Sequence, residues 1–198
     1  MWYEAVMVKP FTPVRHQICR RAGVCVAVYI ADRGRGADPL SIIRHLPAGA
    51  FVLYRDYDAV DRAAYARGLA SACRKRHLPL IVAGDARLAR AVKADGLHLP
   101  EYQLYRRPAS WRGLLTAATH SRRALHFARL RGVDLALVSP VFETRSHPGA
   151  RTLGVHRLAR LVRGAGVRFA ALGGVKKANA GRLRGLPLAA IAMMDGWN

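Results

Sequence analysis

Leu135–Gly154 reads LALVSPVFETRSHPGARTLG, and the fold turns on how this stretch is parsed. The apolar run LALV continues into Ser139-Pro140-Val141-Phe142, then gives way to a polar loop carrying Thr144, Arg145, Ser146, His147, Gly149 and Arg151. Gly154-Val155-His156-Arg157-Leu158 opens a segment of helical character. The stretch therefore reads as a buried strand over Leu135–Phe142, a long functional loop, and a helix over Val155–Arg163. A loop so rich in hydroxyls and basic groups suits an anionic ligand.

Outward from this unit the same pattern repeats. Cys25–Ile30, Ala50–Tyr54, Pro79–Ala83, Gly96–Leu99, Gly113–Thr119, Val167–Leu172 and Leu188–Met194 are further short apolar runs. Between them helices are expected at Pro39–Leu46, from a cap at Asp58 to about His77, from a cap at Asp85 to about Ala94, from His120-Ser121 to about Arg131, and over Lys176–Leu186. In the second of these, Ala63, Ala64, Leu69 and Cys73 are expected to be buried. Alternation of buried strand and amphipathic helix argues for a parallel sheet, and eight such runs make a closed α/β barrel, the (β/α)8 or TIM barrel, the best reading. The usual barrel takes ~250 residues. This one would be short, with no residues left for a final helix. Residues 1–198 read as a single domain, with Met1–Val24 as an N-terminal cap segment over the barrel base.

Composition narrows the function classes. A chain of 198 residues that is 52% hydrophobic is long enough to bury a core. No apolar run approaches the ~20 residues of a membrane span, and Met1–Pro10 lacks the pattern of a signal peptide. The expectation is a cytoplasmic protein. Cys19, Cys25 and Cys73 form no CxxC pair, so neither a disulfide framework nor a zinc site is indicated. The net charge of +21 is mostly arginine, since Lys9, Lys75, Lys93, Lys176 and Lys177 are the only lysines. These cations are spread over every expected helix and are not interleaved with aromatics in one patch. The charge reads as a biased surface composition, not a dedicated nucleic-acid function, although it should attract polyanions at low salt.

In such barrels the working residues lie where strands end at the C-terminal face. Asp32, Asp56, Asp85, Glu101, Glu143 and Asp195 all fall there in this reading, half of the twelve acids in the chain. Helix capping is the competing explanation for Asp85 and Asp56. Gly173-Gly174, after the seventh run, would let two backbone amides approach a phosphate closely. His98 should point into the barrel.

SPVFETRSHPGARTLG resembles the loop of the thiamine phosphate synthase family, which has Gly-Pro-Val-Phe-x-Thr-x-(Ser/Thr)-(Lys/His) at this place. Ala94-Asp95-Gly96-Leu97-His98-Leu99 before it and Ala171-Leu172-Gly173-Gly174-Val175 after it fit in order. The superfamily also holds the TenI-like thiazole tautomerases. The resemblance implies that Thr144, Ser146 and His147 contact a pyrophosphate, with Arg145 and Arg151 beside them. It implies that Arg55 is the arginine of a Gln-x-Arg-x-Lys motif, here flanked by Leu53 and Tyr57. Gly173, Gly174, Met194 and Asp195 would hold a second phosphate, and His120-Ser121 matches the end of the fifth strand, which makes Ser121 a candidate substrate contact with helix capping as the equal alternative. The family's magnesium ligands, Asn-Asp after the third strand and Asp beyond the fourth, align with Ala83, Gly84 and Gln103. If Mg²⁺ is retained, Asp85 and Glu101 are the nearest candidate ligands.

The first expectation is therefore a synthase that couples hydroxymethylpyrimidine diphosphate to thiazole phosphate with release of pyrophosphate. The alternative is a TenI-like enzyme or non-catalytic binder of a phosphorylated thiazole or related small molecule. The tautomerase histidine before Val-Phe is Pro140 here. Either way the partners are phosphorylated small molecules, not a membrane, and a homo-oligomer is left open.

Overall fold

The structure, a computed structural model, describes residues 26–35, 37–106, 111–144, 149 and 151–194; the expected cap segment 1–24 lies outside them. Eight parallel strands close a barrel in chain order. They are β1 (Val26–Ala31), β2 (Phe51–Tyr54), β3 (Leu80–Ala83), β4 (Gly96–Leu99), β5 (Leu114–Thr119), β6 (Leu135–Val138), β7 (Phe169–Ala171) and β8 (Ala190–Met193). Helices α1 (Pro39–Ile43), α2 (Arg62–Lys75), α3 (Ala86–Ala91), α4 (Glu101–Leu104), α5 (Arg122–Leu130) and α6 (Gly154–Val162) lie between them. The ring closes where β8 pairs with β1, from Val26 opposite Ala190 to Tyr29 opposite Met193.

Strand period two sorts the side chains. Val26, Val28 and Ile30 of β1, Phe51 and Leu53 of β2, and Leu135 and Leu137 of β6 fill the interior with Ala170, Ala190 and Ala192. Large residues on one side meet alanines on the other, which lets the layers interdigitate. Alternate residues such as Val52, Tyr54 and Val82 point outward and are buried beneath the helices. At the β8–β1 seam the outward Ala27 and Ile191 are half-buried.

Several boundaries moved, each for a physical reason. The helix expected from Asp58 begins at Arg62, with Asp61 as its cap residue. Asp61 makes no side-chain cap because its carboxylate is held by Arg33 at 2.5 Å. Ala63 and Ala64 are exposed; the buried face is Ala66, Leu69, Ala70 and Cys73, one stripe of the 3.6-residue period. β6 ends at Val138, four residues early, because Pro140 has no amide to donate to a ladder. The helix expected over Lys176–Leu186 is only a 3-10 turn at Ala180–Leu183. There Asn179 accepts from the Lys176 amide and donates to the Gly174 carbonyl, a local alternative to helical bonding.

Candidate active site

The C-terminal ends of the strands carry the polar groups. Continuing the inward series one step past β1, β2 and β8 gives Asp32, Arg55 and Met194, which meet across the barrel mouth. The Arg55 guanidinium donates to Asp32 Oδ2 from Nη2 at 2.9 Å and from Nε at 3.2 Å, and Nη2 lies 3.8 Å from Met194 Sδ. Both partners of this ion pair are mostly buried. Burial there strengthens the pair while leaving an edge open at the mouth. Below it His98, 4% exposed, shares a 2.9 Å hydrogen bond with the Thr116 hydroxyl. Burial, with the Arg55 charge adding to it, pushes the imidazole down to about 3, so the ring is neutral.

A second cation system stands outside the first. Arg33 bridges Asp56 at 2.7 Å and Asp61, with its guanidinium 4.1 Å from the centre of the Tyr65 ring. Hydrogen bonds to these two acids raise the Arg33 pKa, and the same contact holds the Asp61 carboxyl below its ordinary range. Tyr65 donates to Asp38, whose other oxygen caps α1. Asp56 therefore works as an ion-pair partner, not as a helix cap.

The third system sits at the ends of β3 and β4. Arg62, the first residue of α2, donates through Nη2 to the Ala83 carbonyl, and Gln103 Nε2 donates to the Gly84 carbonyl at 3.0 Å. The rings of Tyr54 and Tyr57 flank the Arg62 guanidinium at 5.8 and 5.6 Å. Partial desolvation against its neighbours pushes the phenol of the otherwise exposed Tyr57 up to about 12, so it is neutral. Asp85 Oδ1 caps α3, accepting from the Arg87 and Leu88 amides, and Oδ2 lies 4.0 Å from Arg62 Nη1. Glu101 accepts from the His120 amide at 2.7 Å and from the Tyr105 hydroxyl at 2.9 Å.

The donor set does not fit a magnesium ion. Glu101 is committed to an amide and a hydroxyl, Asp85 Oδ1 to two amides with Oδ2 facing the Arg62 cation, and the carbonyls at the end of β3 are covered by N–H donors. Among the described residues no three His, Cys, Asp or Glu side chains come together as metal ligands.

On the opposite side of the mouth the geometry is set by backbone. Gly173 and Gly174 have φ of +91° and +63°. A Cβ at Gly173 would sit 2.8 Å from Pro140 Cα, and one at Gly174 would overlap the Glu143 carbonyl oxygen. The segment after β6 thus lies directly on the glycine pair, joined by hydrogen bonds from Val141 N to Leu172 O and from Phe142 N to Gly173 O, each 2.9 Å. Glycine is required here by close approach as much as by conformation. Thr144 follows at the edge of this layer, half-buried. Ser121 is the cap of α5, its hydroxyl accepting from the Ala124 amide at 3.1 Å. Arg145, Ser146, His147 and Asp195 lie outside the described residues.

The structure thus brings Arg55 and Met194 together and sets Gly173 and Gly174 against the segment leading to Thr144. Asp32 was legible only as a strand-end acid, and its pairing with Arg55 follows from the inward period. Arg62 was not legible, being one of 33 basic residues with nothing local to distinguish it.

Comparison with known proteins gives consistent matches. Residues 27–196 match the family described as thiamine monophosphate synthase. A thiamine-phosphate synthase of Thiobacillus denitrificans is 34% identical over 143 residues, covering 68% of this chain and 67% of that protein. One from Prochlorococcus marinus is 25% identical over 162 residues, covering 78% of this chain but only 47% of the relative. Among solved structures, thiamine phosphate pyrophosphorylase from Pyrococcus furiosus superposes with a TM-score of 0.71 at 21% identity, covering 91% of this chain and 87% of that one. At that identity the superposition speaks for the barrel alone.

Proposed function

We propose, from the premise that the chain belongs to the thiamine monophosphate synthase family, that it couples hydroxymethylpyrimidine diphosphate to thiazole phosphate and releases pyrophosphate. The observation that carries this reading is Arg55, which follows β2 at the barrel mouth and is held on Asp32 with its side chain still 22% exposed. In the reaction the bond from the pyrimidine methylene carbon to the diphosphate oxygen breaks, and its electron pair leaves with pyrophosphate. The thiazole nitrogen then donates its lone pair to the methylene carbon. No proton has to be removed from the nucleophile. The site need only stabilise a departing polyanion and hold two rings in line.

Each residue has a role under this reading. Arg55 takes the diphosphate by charge-assisted hydrogen bonds. Thr144 adds a hydroxyl from the loop after β6, where Arg145, Ser146 and His147 would add donors from outside the described residues. The Gly173 and Gly174 amides hold the thiazole phosphate, with Met194 closing the floor beside Arg55 and Asp195 following it. Neutral His98 and Thr116 form a dry polar layer under the mouth that keeps Arg55 from being solvated from below. Magnesium would ordinarily neutralise the leaving group; among the described residues no ligand set fits it.

The test is product formation from the two substrates. The wild-type chain should form thiamine phosphate and pyrophosphate in equal amounts, and Arg55→Gln should lower kcat/KM by about a hundredfold, or ~2.7 kcal/mol. Thiazole phosphate binding with no coupling would instead favour the binder reading.

A further inference from the structure

The site that should hold a divalent metal holds a cation of the chain's own. The end of β3 presents two carbonyls, Ala83 O and Gly84 O, and both are covered by N–H donors, from Arg62 and Gln103. A carboxylate at position 84 would be strained, because the backbone there has φ of +74° and a Cβ would crowd Tyr57 Cε1 at 3.0 Å. Of the nearby acids, Glu101 gives one oxygen to the His120 amide and the other to the Tyr105 hydroxyl, and Asp85 gives Oδ1 to two amides while Oδ2 faces Arg62 Nη1 at 4.0 Å. A group of donors around a fixed positive charge repels a metal ion and attracts an anion.

Arg62 has donors to spare. Its side chain is 16% exposed, its Nε is buried with no partner among the described residues, and its Nη1 stands 4.0 Å from Asp85, beyond hydrogen-bond range. A buried donor without an acceptor is costly unless a ligand oxygen satisfies it. Tyr57 stands at the position where the resembled pattern has a lysine, and its ring lies beside Arg62. A cation thus returns to that place from the next helix.

We infer that this chain binds the diphosphate group without a divalent metal, with the Arg62 guanidinium in the metal's place. This inference rests on the synthase reading for the nature of the ligand. It adds that magnesium is dispensable.

Calorimetric titration of the full chain with inorganic pyrophosphate, at near-physiological salt, tests it in EDTA and again in magnesium. One pyrophosphate should bind per chain in EDTA, with magnesium changing Kd by less than about threefold. Arg62→Gln should weaken binding about tenfold or more, with Arg62→Lys in between because it keeps charge but loses the fork. Circular dichroism checks that each variant folds. Should Arg62→Gln fail to fold, Gln103→Glu takes its place. A carboxylate beside Arg62 should weaken metal-free binding severalfold, and no weakening would contradict the inference. Pyrophosphate binding that appears only with magnesium, unchanged in Arg62→Gln, overturns the inference while leaving the synthase reading intact. Absence of pyrophosphate binding in both conditions overturns the two together.

Discussion

The two sides of the barrel mouth are built from different materials. On the β1–β4 side, side-chain charge does the work: Arg55 on Asp32, Arg33 on Asp56 and Asp61, and Arg62 on the Ala83 carbonyl. On the β6–β8 side, backbone does it, with Gly173 and Gly174 pressed against the chain from Pro140 to Glu143. A side-chain cation can shift its partner when a polyanion arrives. Backbone amides cannot move without unpacking the layer beneath them. A flexible, highly charged diphosphate suits the first side, and a single phosphate in fixed position suits the second.

The comparison breaks most visibly at Gly174. Alanine there would collide with the Glu143 carbonyl and force a positive φ, so Gly174→Ala should cost about 3 kcal/mol or more and lower Tm sharply. Gly181, with open space at its Cβ, is the control: Gly181→Ala should be neutral to slightly stabilising. Equal small effects at both would mean that the backbone side is not close-packed.

His98 lies beneath the mouth. Its folded pKa is depressed to about 3, so between that value and the unfolded value of 6.5 the unfolded chain binds the extra proton. Stability should therefore fall as pH drops below 6.5, by up to ~1.4 kcal/mol per pH unit from this group. Denaturant melts of wild type and His98→Gln across this range should differ in slope, the variant being flatter.

Arg55→Gln removes the guanidinium held by Asp32. A loss of roughly 1–3 kcal/mol in stability is expected, discounted for partial exposure, together with weaker pyrophosphate binding. Binding of thiazole phosphate should hardly change, because it belongs to the other side. At the small end, Ser121→Ala should cost ~1 kcal/mol as a lost helix cap and leave pyrophosphate affinity unaltered. A tenfold loss of affinity would return Ser121 to the site.

How much of this was legible follows from what period and position can encode. Buried strands announce themselves as short apolar runs, and Gly96–Leu99 appears in the structure with the bounds read from sequence. Arg55 was legible because it ends such a run. The 3-10 turn at Ala180–Leu183 was not, because the Asn179 side chain replaces helical bonds there and an isolated asparagine carries no such signal. Asp85 and Glu101 sit where rim acids should. Asp85 Oδ1 accepts from the amides of the helix it caps, and Glu101 accepts from the His120 amide and the Tyr105 hydroxyl, partners that only the folded chain brings to it. Arg62 was hidden by composition, since one arginine among many cannot be singled out until its carbonyl partner and its flanking tyrosines are in place.

The measurement that tests the two-sided mouth most directly is titration of pyrophosphate into the chain already saturated with thiazole phosphate. Both should bind at once, one of each per chain, with pyrophosphate affinity little changed. Competition between them for a single site would contradict it.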